Sequence, residues 1–132
     1  MFTVQQIKAA HSKVKTGADF PRYVQEIKAF GLIKYDYMVA DGRTIYHGAD
    51  GFQVEAPPIY LLKKINIVPS VEGMERDIKN HQQGRSDFLT ICQQAADNGV
   101  HRWEVNTQTM MCSYYDITGN RMIAEPIPQG DY

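Results

Sequence analysis

The chain has 132 residues, 43% of them hydrophobic and 22% charged, with 14 Lys and Arg against 15 Asp and Glu. These proportions exclude a disordered or collagen-like chain and match an ordinary globular domain. The formal net charge of −1 argues against any broad electrostatic attraction to nucleic acid or to an anionic membrane.

Thr3 followed by Gln6 has the form of a capping box, so a first helix is expected from there, with Val4, Ile7 and Val14 on one stripe and Gly17 as its stop. Asp19 is expected to cap a second helix, with Pro21 in its first turn and Phe20, Tyr23, Val24, Ile27 and Phe30 on its apolar face. Gly31 ends it. Residues 32–39 then change to a period of two. Ile33, Tyr35, Tyr37 and Val39 share one face of a strand, and Lys34 and Asp36 the other. Asp41-Gly42 reads as a two-residue hairpin turn, followed by a return strand over 43–47 and a third short strand over 52–55.

Pro57-Pro58 interrupts this pattern, and 59–68 reads as extended chain at a sheet edge. Ser70 is expected to cap a third helix, with Val71, Met74, Ile78 and His81 on its inner stripe. Ser86 is expected to cap a fourth, carrying Phe88, Ile91, Cys92, Ala95 and Ala96 and stopped by Gly99. Strands follow over 100–105, 109–116 and 121–124. A short tail occupies 126–132.

Element order therefore runs helix–helix–hairpin twice, as pseudo-repeats at about 3–55 and 70–125 within a single domain spanning 1–132. An offset of 68 residues brings Asp19, Phe20, Gln25 and Gly31 onto Asp87, Phe88, Gln93 and Gly99. It also brings Lys34-Tyr35-Asp36 onto Arg102-Trp103-Glu104 and Tyr46 onto Tyr114. The expected fold is α+β: a two-layer sandwich of two ααββ units, with an antiparallel sheet covered by four helices.

The second half carries His81-Gln82, Gly84, Asp87-Phe88, Cys92, Gly99-Val100 and Trp103, then Met111-Cys112, Tyr114-Tyr115-Asp116, Gly119 and Ile127-Pro128. Over roughly residues 20–128 this string resembles the YdfO-like bacterial and prophage family of unknown function, whose members are loosely labelled phage envelope proteins. The resemblance implies a small α+β domain from bacteria or their prophages. It implies no activity, cofactor or catalytic residue.

Cys92 and Cys112 form no CxxC and read as buried free thiols. The four histidines show no HxH or HxxxH spacing, so no metal site, no cofactor and no catalytic residue are assigned. The absence of a basic, apolar leader and of any long apolar run points to a cytoplasmic protein. Lys34 and Arg102 are interleaved with Asp36 and Glu104, which argues against a nucleic-acid surface.

The surplus of aromatics, with eight Tyr, five Phe and one Trp, leaves two functional readings. The first is a non-enzymatic accessory domain that binds a protein partner or a second copy of itself. The alternative is a small-molecule-binding or enzymatic domain, with a pocket in the second half between helices and sheet. Its candidate ligand-binding residues are His81, His101, Trp103, Cys112, Tyr114, Tyr115 and Asp116. His81 extends a helix stripe towards the sheet, His101 precedes Trp103 on an inner strand face, and Tyr114 and Tyr115 must point to opposite faces.

Overall fold

A reciprocal cap opens the chain's first helix. Thr3 Oγ1 accepts from the Gln6 N–H at 3.2 Å, and Gln6 Oε1 accepts from the Thr3 N–H at 2.8 Å, starting α1 (Val4–His11). The computed structural model describes residues 2–14 and 19–127. The expected stop at Gly17 and the tail beyond Ile127 lie outside them.

Helix α2 (Phe20–Ala29) has Pro21 in its first turn and buries Tyr23, Val24 and Ile27. Asp19 precedes it without a side-chain cap bond. Three strands follow, β1 (Lys34–Met38), β2 (Thr44–His47) and β3 (Gln53–Ala56). Helix α3 (Val71–Gln82) is capped by Ser70, whose hydroxyl accepts from the Gly73 N–H at 3.1 Å. Helix α4 (Phe88–Asp97) is capped by Asp87, whose Oδ1 accepts from the Thr90 N–H at 2.8 Å. Strands β4 (Arg102–Asn106), β5 (Met111–Tyr115) and β6 (Arg121–Pro126) complete the described chain.

The six strands form one antiparallel sheet in the order β3-β2-β1-β4-β5-β6. Two meanders are thus joined back to back along the β1–β4 seam. The fold is α+β, four helices with a six-stranded open sheet, and each half carries a third strand beyond its hairpin. The 68-residue offset that relates the stop glycines carries 20–29 onto 88–97 and 34–38 onto 102–106.

The register places two rows of side chains on the inner face. One runs Val54, Tyr46, Tyr35, Val105, Cys112, Glu125 across the sheet. The other runs Ala56, Thr44, Tyr37, Trp103, Tyr114, Ile123. Helices α1 and α2 pack as one hairpin and α3 and α4 as another. The opposite face is polar. Arg102 pairs with Asp36 at 3.0 Å and Lys34 with Glu104 at 3.7 Å. A period of two therefore sorts aromatics inward and charges outward, as the sequence pattern requires.

Four local expectations are corrected. The β1–β2 connection is five residues, 39–43, closed by the Gly42 N–H donating to the Met38 carbonyl at 2.8 Å. A two-residue turn is displaced because this loop serves the connector: the Asp41 carbonyl accepts from the Ile59 N–H at 2.9 Å and the Ala40 carbonyl from the Lys63 N–H at 2.7 Å. The 59–68 segment, spent on those bonds, is not a strand; β3 and β6 occupy the sheet edges. Asp87 displaces Ser86 as the α4 cap, since Ser86 Oγ is engaged by His81 Nδ1 at 3.0 Å. Val71, expected on the inner stripe of α3, is 40% exposed at the helix's first residue, next to the Ser70 cap, while Met74 and Ile78 on that stripe are buried.

Candidate functional site

Beneath the helices, the inner face of the sheet is not filled. A cavity of about 450 Å³ lies between the layers, within the range typical of small-molecule sites. Its floor is formed by Tyr35 and Tyr37 on β1, Tyr46 on β2, Trp103 on β4, and Cys112 and Tyr114 on β5. All are inward-facing positions of the two cross-strand rows. Its roof comes from all four helices: Ile7 and His11, Phe20 and Tyr23, Ile78 and His81, and Phe88 and Ile91.

Directly across the seam, the rings of Tyr37 and Trp103 stack with centroids 4.4 Å apart and planes 16° from parallel. Phe88 stands edge-on to both, at 5.5 Å from Tyr37 and 6.4 Å from Trp103. Such offset and edge-to-face arrangements hold rings rigidly. Tyr37 is fixed further by a partly buried relay. Its hydroxyl donates to the Tyr60 hydroxyl at 3.0 Å, which donates to the Val39 carbonyl at 2.7 Å. With its proton so committed, Tyr37 accepts from the Cys92 thiol at 3.2 Å.

The cavity lining is electrically quiet. Burial pushes the phenols of Tyr23, Tyr35, Tyr37, Tyr46 and Tyr114 above their ordinary value. Burial also pushes the Cys112 thiol up to about 12, and the Cys92 thiol on α4 in the same direction. Neither thiol is therefore primed as a nucleophile. Both cysteines are free and buried. Burial lowers the pKa of His11 and His81, so both imidazoles are neutral near pH 7. His11 lies edge-on to Tyr23 and Phe88, 5.2 Å from each.

Of the residues picked from the sequence, His81, Trp103, Cys112 and Tyr114 all line this cavity. His101, Tyr115 and Asp116 do not. His101 precedes β4, its N–H bonded to the Tyr115 carbonyl at 2.8 Å, and its buried Nδ1 has no partner. The Tyr115 ring lies under the Arg102 guanidinium at 4.0 Å, on the charged face. Asp116 organises the β5–β6 turn: its Oδ1 accepts from the Thr118 hydroxyl at 2.7 Å and from the Thr118 and Asn120 N–H groups. Those bonds, the Thr118 hydroxyl first, hold its carboxyl below the usual range.

The pocket expected in the second half alone extends across both halves. Tyr35, Tyr37, Tyr46, Tyr23 and His11 belong to the first, and none of them was among the candidate ligand-binding residues. Glu125 was also missed. It sits opposite Cys112 at the end of an otherwise largely apolar row, and alternation from Ile123 was the signal that placed it on the inner face. Among the described residues, no group of three His, Cys, Asp or Glu side chains is placed to hold a metal ion, and no helix is long and apolar enough to cross a membrane.

Comparison with curated proteins finds no match. A protein family does match, over residues 8–126 and so most of the chain. The chain thus belongs to the family described as "Protein of unknown function (DUF1398)".

Proposed function

We propose that this domain binds a small, largely apolar molecule in the cavity between its helices and sheet. The observation that carries the reading is the 450 Å³ space over a floor of stacked aromatics, with polar groups confined to a few positions. A filled core packs its aromatics against neighbouring side chains with few voids larger than water. Here the largest rings of both halves converge on open space. His81 and Gln82 line the cavity and are the groups best placed to orient a ligand. A fluorescence titration with the neutral apolar dye N-phenyl-1-naphthylamine tests this. One-to-one binding is expected, and Ile78→Phe, which adds bulk to the roof, weakens it at least ten-fold. No saturable binding to the folded protein, or equal binding by the variant, overturns the reading.

A second reading rests on a separate observation. The connector after β3 exposes Leu61 at 91%, Leu62 at 81%, Ile67 at 76% and Val68 at 68%. Side chains of this kind and number expose on the order of 600 Å² per chain, which a symmetric pair doubles to the lower limit of stable interfaces. What supports a second copy of the chain as the occupant is this match of area. Sedimentation at increasing concentration tests it, with dimer expected for the natural chain and monomer for Leu61→Lys/Leu62→Lys. A monomer at all concentrations overturns it.

The YdfO-like relationship and a bacterial or prophage source belong to this proposal, supported by the string from His81 to Pro128; a cytoplasmic location is proposed with them. Interleaved charges on the open sheet face support leaving nucleic acid out of it.

A further inference from the structure

Resting on the cavity reading, we propose that the ligand is a cation with an apolar body, such as an aromatic or quaternary amine, whose charge is met by Glu125 and the aromatic floor. The charged and titratable groups around the cavity are few. Lys8 is exposed at the rim, and the described lining contains no arginine. His11 and His81 are neutral when buried. Asp87 is occupied in capping α4. Among the described lining residues, an anion therefore finds one cation, the solvated Lys8.

Glu125 differs from these groups. It is half-buried on the inner face, at the end of the row that runs through Tyr46, Tyr35 and Cys112. Its Oε1 accepts from Gln82 Nε2 at 3.2 Å, and no ion pair joins it among the described residues. Partial burial raises its pKa, and the nearby Glu75 carboxylate adds to the effect. A carboxylate held this way gains from a cation brought alongside. The rest of the lining suits the same chemistry. Tyr114 lies on the strand beside Glu125, and its ring quadrupole attracts cations, most strongly where water is excluded. A permanent charge with an apolar shell thus meets both a carboxylate and an aromatic ring.

Calorimetric titration of the full chain with three probes of one shape tests this: phenyltrimethylammonium, its uncharged isostere tert-butylbenzene, and benzenesulfonate. The cation is expected to bind at least five-fold tighter than the isostere, with benzenesulfonate weakest. Glu125→Gln keeps a hydrogen-bonding side chain beside Gln82 and removes the charge. It is expected to cut the cation's advantage to two-fold or less while leaving tert-butylbenzene unchanged. Equal or tighter binding of the isostere, or an advantage that survives Glu125→Gln, overturns the inference while the cavity reading stands. If none of the three probes binds, nor N-phenyl-1-naphthylamine, both fall together.

Discussion

Asp36 lies directly across from Glu104 at the centre of the β1–β4 seam. They are also equivalent positions of the two halves under the 68-residue offset, so each residue faces its own counterpart. Like charges opposed in an antiparallel pair are destabilising. The clash is relieved by two cations, Arg102 and Lys34. Arg102 reaches Asp36 at 3.0 Å and Glu104 at 4.0 Å, His47 lies 3.5 Å from Asp36, and Lys34 lies 3.7 Å from Glu104.

Removing the shared cation should therefore expose the repulsion. Arg102→Ala is expected to destabilise by about 1 kcal/mol, more than a typical exposed ion pair contributes. Adding Glu104→Gln to that variant should recover part of the loss, because the opposed charge is then gone. Urea unfolding of the two single variants and the double variant measures the coupling. An additive result means the two carboxylates do not interact through Arg102.

Two helix-ending glycines should respond differently to a methyl group. Gly31 has φ +96° with no atom within 4 Å of an added Cβ, so Gly31→Ala is expected to cost only the backbone strain, about 1 kcal/mol. Gly99 has φ +83°, and its Cβ lands 2.7 Å from Pro69 Cα and 3.0 Å from the Asn66 carbonyl oxygen. That backbone cannot turn aside. Gly99→Ala is expected to cost at least about 2 kcal/mol by the same strain plus overpacking. Equal losses in thermal unfolding refute the distinction.

Burial makes stability depend on His11 and His81 below neutral pH. Their folded pKa values lie under the usual value of about 6.5, at which the unfolded chain takes up protons. Above that value both states are neutral and these groups give no slope. Below it the unfolded state binds more protons, so unfolding free energy falls with pH until the folded pKa values are passed. Glu125, whose pKa is raised, acts with the opposite sign nearer the carboxylate range. Unfolding at pH 7.5 and 5.5 should show a loss that His11→Gln/His81→Gln reduces. The same loss in that variant removes the histidines as its cause.

The thiols should be silent in the folded protein. Cys112 is 4% exposed with its pKa pushed up to about 12, and Cys92 is fully buried. Alkylation by iodoacetamide at pH 8 should label neither until denaturant is added, when both react at the ordinary rate of a free cysteine. Fast labelling without denaturant shows that the cavity admits solvent to its floor.

Much of this molecule can be read locally. Thr3 with Gln6, Pro21 in a first turn, and the alternation through Tyr35 and Tyr37 each act over a few residues, and the elements follow from them. Ser86 misled because a cap needs a free hydroxyl, and His81, five residues away, holds that one. The site is less legible. His81, Trp103, Cys112 and Tyr114 carried inward-facing patterns of their own. That Tyr35, Tyr37 and Tyr46 join them depends on β1 pairing with β4, and no local signal names that partner. Glu125 is hidden for a related reason, since its environment is set by Gln82 on a distant helix.

The stacked pair at the seam has a kinetic consequence. Tyr37 and Trp103 meet only when a long loop closes between strands that are neighbours in space and distant in sequence. Local helices and hairpins can form on either side before that entropic cost is met. Trp103 is the chain's single tryptophan, so its emission during refolding reports the joining of the two meanders without any added label. A slow phase in that signal, after helicity has recovered, would time the moment at which the chamber between helices and sheet comes into existence.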